Sequence, residues 1–175
     1  LTKNIEKGKA VSINDIEIID SRSSVIEKAE MIASLLRESN ITVPNNFNLE
    51  LSHHYGLDKF EEFGLAMITL VNRDYCKKVL ICLPNQIHPE QYHKKKEETF
   101  HILFGKISIK LDGNKQTLNQ GDVLTILPGV RHEFVSENGA VIEEISSSHY
   151  SDDSYYTDVS IVENKNRKTH ISYRL

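Results

Sequence analysis

The chain has 175 residues, with 21 Lys and Arg against 25 Asp and Glu and a formal charge of -4. That length suits one domain with an appendage and is enough to bury a proper core. The mild acidic balance gives no sign of a nucleic-acid binder, because the one basic run, Lys94-Lys95-Lys96, is followed at once by Glu97-Glu98; no window approaches the ~18 apolar residues of a membrane span, and no secretory signal is visible.

The first residues are Leu1-Thr2 rather than Met, which reads as a processed chain or one excised from something longer. Residues 4–16 combine apolar alternation with a Lys7-Gly8 turn, the pattern of a β-structured start. The stretch is similar to the opening strands of the antifreeze-like domain that follows the catalytic barrel in sialic acid synthases. Next, Ser24 is expected to cap a helix running to about residue 39, with Val25, Ala29, Ile32, Leu35 and Leu36 on one stripe and Glu27, Lys28, Arg37 and Glu38 outward. Such a stripe packs on a neighbouring sheet or on a second subunit. Residues 41–46, centred on Pro44, form a breaker. The expected organisation is therefore an arm of strands and one helix over 1–45, then a barrel with a C-terminal extension over 46–175.

Beyond the breaker, short apolar runs near 47–52, 64–71, 79–83, 98–104, 106–111, 115–118, 122–127, 132–136 and 140–147 read as strands, with a hairpin turn at Asp112-Gly113. Strands of this length and spacing make an antiparallel sandwich or barrel, an all-β fold. Cys76 and Cys82 flank a turn-like Lys77-Lys78 and read as buried thiols rather than a disulfide, which fits a reducing cytoplasm.

The residues that carry chemistry fall in two blocks. In the first, Gln91 and His93 leave a strand on the same face, a polar insert over 94–97 resets that face, and Glu98 opens a strand that closes on a tight turn at Gly105. In the second, a turn at Gly121 leads through residues 123–127 to a Pro128-Gly129 corner that delivers His132 onto the next strand. Two imidazoles, a carboxylate and a side-chain amide at these spacings can surround one divalent metal. The blocks resemble the two motifs of the cupin family, Gly-x5-His-x-His-x4-Glu-x6-Gly and Gly-x5-Pro-x-Gly-x2-His, from 91 to 105 and from 121 to 132. That resemblance implies a jelly-roll barrel, the double-stranded β-helix, and pairing into a homodimer. Gln91 replaces the first His of the motif, Leu127 the first Pro, and Ser136 the closing Asn. Gln oxygen is neutral and harder than imidazole. The expected ligands are thus His93, Glu98 and His132, with Gln91 and His88 competing for a fourth place; Pro89 biases His88 toward an extended conformation that points it back to the barrel mouth. His53, His54, His101, His149 and His170 are expected to be surface or internally satisfied histidines.

Residues 84–98 and 143–150 further resemble the corresponding stretches of D-lyxose isomerase-type cupins. The resemblance implies a metal-dependent aldose-ketose isomerase acting on a small-molecule sugar, with manganese the usual ion and zinc, iron or nickel as alternatives. It also implies a role for Lys96, because the family places a Lys two residues before the ligand Glu. Isomerisation needs a proton shuttle between C1 and C2, and of Glu143 and Glu144 one must face the barrel interior, since successive strand residues point opposite ways. Lys96 would polarise the carbonyl or steady the enediolate. Two other classes stay open: a non-catalytic sugar-binding or dimerising module of a sialic acid synthase-like protein, and an iron-dependent oxygenase.

Overall fold

A computed structural model describes residues 13–174, with side chains from Ser21 onward. It begins with a long helix, α1 (Ile13–Ser39), followed by strand β1 (Asn46–His53), a 3-10 turn over Leu57–Lys59 and the single-turn helix α2 (Phe60–Phe63). Strands β2 (Gly64–Asn72), β3 (Tyr75–Cys82), β4 (Gln86–Tyr92), β5 (Glu98–Leu111), β6 (Asn114–Asn119), β7 (Val123–Ile126), β8 (His132–Ser136) and β9 (Ala140–Ser147) come next. The short strand β10 (Tyr155–Tyr156), helix α3 (Val159–Glu163) and strand β11 (Lys168–Arg174) close the chain. The strands form one curled antiparallel sheet in the order β10-β4-β8-β5-β9-β3-β2-β1-β11, with β6 and β7 also paired to β5. This is the all-β jelly-roll anticipated above. No helix among the described residues is long and apolar enough to cross a membrane.

The curl is made by β5, which serves both walls of the barrel. Its first half pairs with β9 and β7, its second with β8 and β6. Between them the ladder slips a register at Ile102 to Phe104, and Gly105 follows with φ 74. A Cβ on Gly105 would collide with the Gly139 carbonyl oxygen, so only glycine fits. The consequence is a change of parity: Phe100 and Ile102 face the interior before the slip, Ile107 and Ile109 after it. Gly105 is thus a bulge inside one strand, not the turn that was expected.

Alternation along β2, β3 and β9 sorts their side chains onto two faces. Leu65, Leu80 and Ile142 fill the barrel, whereas Ala66, Ile68, Ile81 and Val141 face outward and join Ala29, Ile32, Leu35 and Leu36 of α1 in a second core. The helix stripe therefore packs on the chain's own sheet. Burying each of its Leu and Ile side chains is worth roughly 1.5–3 kcal/mol. β1 starts at Asn46, after the Pro44 breaker.

Four expectations are corrected. Ser24 lies inside α1 rather than capping it, and residues 13–16, read as the end of a β-structured start, are helical. No Gly or Pro separates residue 13 from the docked stripe, so a helix already nucleated by packing extends back through them. The rest of the antifreeze-like stretch, 1–12, lies outside the described residues. Lys77-Lys78 is not a turn; β3 runs straight through it, with Lys77 bonding Glu143 on one face and Lys78 reaching Glu144 on the other. Both thiols are free and buried, as anticipated. Finally, β11 was missed because its Lys168-Thr169-His170 start is polar; its strand character comes from pairing with β1 along its length.

Candidate metal centre

The two sequence blocks meet because their strands are neighbours. In the β4–β8 ladder Gln91 stands directly opposite His132, after a register slip between His88 and Gln91. Pro89 lies in that slip and has no N–H to give to the ladder. The Pro128-Gly129 corner closes the other side: Gly129 adopts φ 87 and donates its N–H to the His93 carbonyl at 2.6 Å. Glu98, as the first residue of β5, enters from a third direction.

The result is a buried triad. His132 Nε2 lies 3.0 Å from Glu98 Oε1 and His93 Nε2 3.6 Å from Glu98 Oε2, with all three side chains at most 4% exposed. One ligating atom from each of the three can be chosen so that all lie within 4.8 Å of one another. The tautomers can be assigned from the far nitrogens. His93 Nδ1 lies 2.5 Å from the Asp153 carbonyl oxygen and His132 Nδ1 3.1 Å from that of Val130. Each Nδ1–H thus donates to backbone, which aims each Nε2 lone pair inward. Burial lowers the His93 pKa although Glu98 pulls it up, so the neutral, ligating form prevails.

The donor set fits a divalent transition metal. His93 Nε2, Glu98 Oε1 and Gln91 Oε1 are buried and lack a hydrogen-bond partner among the described residues. The short distance from Glu98 Oε1 to His132 Nε2 is no hydrogen bond once the proton is on Nδ1; it sets two lone pairs face to face. Converging, unsatisfied acceptors are costly in a dry interior unless a cation sits among them. Gln91 sets its amide Nε2 3.4 Å from His132 Nε2, so the amide end borders the triad, and turning it by 180° would exchange Nε2 for Oε1 at that place. His88 is not part of the triad. Its ring stacks on Phe134 at 4.7 Å and meets His54 edge-on at 5.1 Å, and burial, then His54, hold its pKa well below the ordinary value.

Lys96 and Glu144 adjoin the triad. The Lys96 ammonium is 2.5 Å from Glu98 Oε2 and 3.0 Å from Glu144 Oε1. Lys78 stands 3.5 Å from the same Glu144 oxygen, and the Ser146 hydroxyl donates to it at 3.0 Å. Burial alone would lower the Lys96 pKa, but Glu98 and Glu144 outweigh it and raise it, so Lys96 is charged. For both carboxylates burial opposes ionisation and is overcome, chiefly by Lys96, so each pKa is lowered. Of the glutamate pair, Glu144 faces in and Glu143 faces out. Glu143 pairs with Lys77 at 2.7 Å and His101 at 3.6 Å on the outer wall, which removes it from the interior.

Several participants carried no sequence signal. Asp153, 2% exposed, accepts the backbone N–H groups of Lys94, Lys95 and Lys96 through its carboxylate, while its own carbonyl holds His93. Lys78 and Ser146 were overlooked because their significance lies in facing Glu144 across the barrel. His149, expected at the surface or internally satisfied, lies with its Nδ1 3.3 Å from Lys78 and has its pKa lowered to about 4 by burial and then by Lys78. His53 and His54 are buried and bonded to Thr169 and Tyr156. A cavity of about 140 Å³ beside the triad is lined by His93, Glu98, Lys96, Glu144, Lys78 and His149 together with Met67, Leu80, Phe134 and Tyr156.

Residues 79–143 match the model of the cupin domain, a span that includes Gln91, His93, Glu98 and His132. Over 171 residues the chain is 30% identical to a D-lyxose/D-mannose isomerase of Thermosediminibacter oceani, covering 80% of this chain and 94% of that protein. The chain belongs to the D-lyxose isomerase family of cupins. A D-lyxose ketol-isomerase of Thermofilum sp. is 27% identical over 136 residues, which cover 61% of this chain and 76% of that protein. Among solved structures, L-ribose isomerase of Cellulomonas parahominis with L-psicose superposes with a TM-score of 0.65 at 13% identity, covering 81% of this cupin and 94% of that chain. At that identity the likeness speaks to the fold.

Proposed function

We propose that this cupin is a metal-dependent aldose-ketose isomerase in which His93, Glu98 and His132, with Gln91 as a weaker fourth ligand, hold one divalent ion, manganese by preference. The observation that carries the proposal is the set of unsatisfied inward donors next to a charged Lys96–Glu144 pair, in a chain of this family. An ion held there supplies Lewis-acid stabilisation for the charge that gathers on the two substrate oxygens during proton transfer.

The remaining work falls to the protein. Glu144 is ionised and can accept the C2 proton of an open-chain aldose. The bonds from Lys96, Lys78 and Ser146 converge on its Oε1, which leaves Oε2 as the basic atom that returns the proton to C1. Lys96 has three N–H donors, two of them directed at Glu98 and Glu144. The third is available to a substrate oxygen as negative charge develops there. His88 and Phe134 form an apolar wall against water. The relatives are named as isomerases, which favours turnover over a non-catalytic sugar-binding module.

Manganese-loaded protein is expected to convert an aldose to its ketose in a screen of pentoses, hexoses and amino sugars. Lys96→Met should lower kcat by about 100-fold or more, with bound manganese by elemental analysis unchanged. No conversion across the screen would defeat the isomerase reading.

A further inference from the structure

The cavity has a second pole, distant from the triad. Tyr156 stands directly opposite Gln91 in the β10–β4 ladder, and Gln91 directly opposite His132 in β4–β8. Opposed residues share a face, and strands lie about 4.8 Å apart, so Tyr156 sits roughly 10 Å from His132 along the cavity wall. Its hydroxyl bonds His54 Nε2 at 3.0 Å, while His54 Nδ1 is 2.6 Å from the Phe63 carbonyl oxygen, so the ring is held at its edge. On that ring lies the Arg167 guanidinium, 5.0 Å from the centroid. The Arg167 carbonyl is in turn tied to the His53 N–H at 2.8 Å.

Charge pairing along the cavity leaves Arg167 over. Lys78 and Lys96 are matched by Glu98 and Glu144, and Lys168 by Glu50 at 2.8 Å. Arg167 alone among the cations bordering the cavity has no carboxylate or hydrogen-bond partner for its side chain among the described residues. A divalent ion in the triad would add to this positive excess. A guanidinium held against an aromatic ring and free of other partners offers its fork of donors to a carboxylate or a phosphate. A hydroxyl of a neutral sugar makes little use of it.

Building on the isomerase reading, we propose that the substrate is an acidic sugar: an open-chain aldose whose C1–C2 end lies at the triad and whose far end carries a carboxylate or phosphate received by Arg167, with Lys168 alongside. The span of roughly 10 Å between the poles suits a six-carbon chain with a charged terminus.

The test uses the full chain loaded with manganese and three sugars that differ only at C6: D-mannose, D-mannuronate and D-mannose 6-phosphate. At least one acid should exceed D-mannose in kcat/KM by tenfold or more, and which acid wins separates carboxylate from phosphate. Arg167→Met should reduce the acid-to-neutral ratio at least tenfold, and Arg167→Lys should restore part of it. D-mannose turned over as well as both acids would overturn the proposal and leave the isomerase reading standing. If no sugar turns over, calorimetric titration decides. Arg167-dependent binding of an acid then upholds the acidic ligand while the isomerase reading falls; equal binding of all three sugars, or none, sinks the acidic ligand as well.

Discussion

At the residue scale the centre depends on Asp153 as much as on the ligands it positions. A single buried carboxylate takes three successive backbone N–H groups of residues 94–96, and the carbonyl of the same residue sets the His93 tautomer. Asp153→Ala removes the carboxylate and leaves those donors unpaired, which should weaken manganese affinity about 10- to 100-fold. Titration calorimetry checks this. Unchanged affinity would show that the 93–96 loop holds its shape without Asp153. His93→Ala or His132→Ala should go further and empty the site in elemental analysis. Glu143→Gln should leave turnover near the native value, because that carboxylate faces Lys77 and His101 outside the barrel.

Among the elements, α1 and β5 make the clearest quantitative claims. Ile32 is 1% exposed and sits in the core shared by the helix and the outer sheet face. Ile32→Ala should therefore cost about 2–5 kcal/mol in urea unfolding; a cost under about 0.5 kcal/mol, typical of exposed positions, would mean that the arm is a separate appendage. On that ground we propose that the helix, drawn into a separate arm by its place before Pro44, belongs to the barrel's folding unit. Gly105→Ala meets both a positive φ and the Gly139 carbonyl. It should disturb the β5 slip and, with it, the inward aim of Glu98 relative to Ile107.

For the whole molecule, stability should follow both metal and pH. Manganese at about 100 times its Kd should add about 2.7 kcal/mol to unfolding free energy if only the folded chain binds it. The pH dependence is best measured on metal-free protein. His54 is buried, and that burial, against a raising bond from Phe63, lowers its pKa from 6.5 to about 4. The folded state keeps a neutral imidazole where the unfolded chain takes up a proton. Its contribution is complete above 6.5 and is lost as pH falls from 6.5 toward 4, on the order of 3 kcal/mol. His88, lowered chiefly by the same burial, adds in the same direction. Unfolding curves that do not weaken between these limits would show that the His54–Tyr156–His88 cluster tolerates charge.

The sequence by itself determined the barrel, most strand positions and which residues make up the candidate metal centre, because these follow from local rules. Turns at Gly121 and Gly129, the alternation of apolar residues, and the spacing of His93, Glu98 and His132 each operate over a few residues. What only the tertiary structure decided depends on partners far apart in the chain. Which member of Glu143-Glu144 faces inward was set by ladder register against β3 and β5, since alternation fixes only that the two differ. Asp153 reaches His93 from 60 residues away, and Arg167 finds Tyr156 only when β1 and β10 have curled toward each other. The extent of α1 was likewise hidden, because residues 13–16 carry a pattern compatible with strand until packing of the stripe selects helix. Local spacing can specify which side chains stand ready for chemistry; the low dielectric and fixed geometry that give them partners exist only after the sheet has closed.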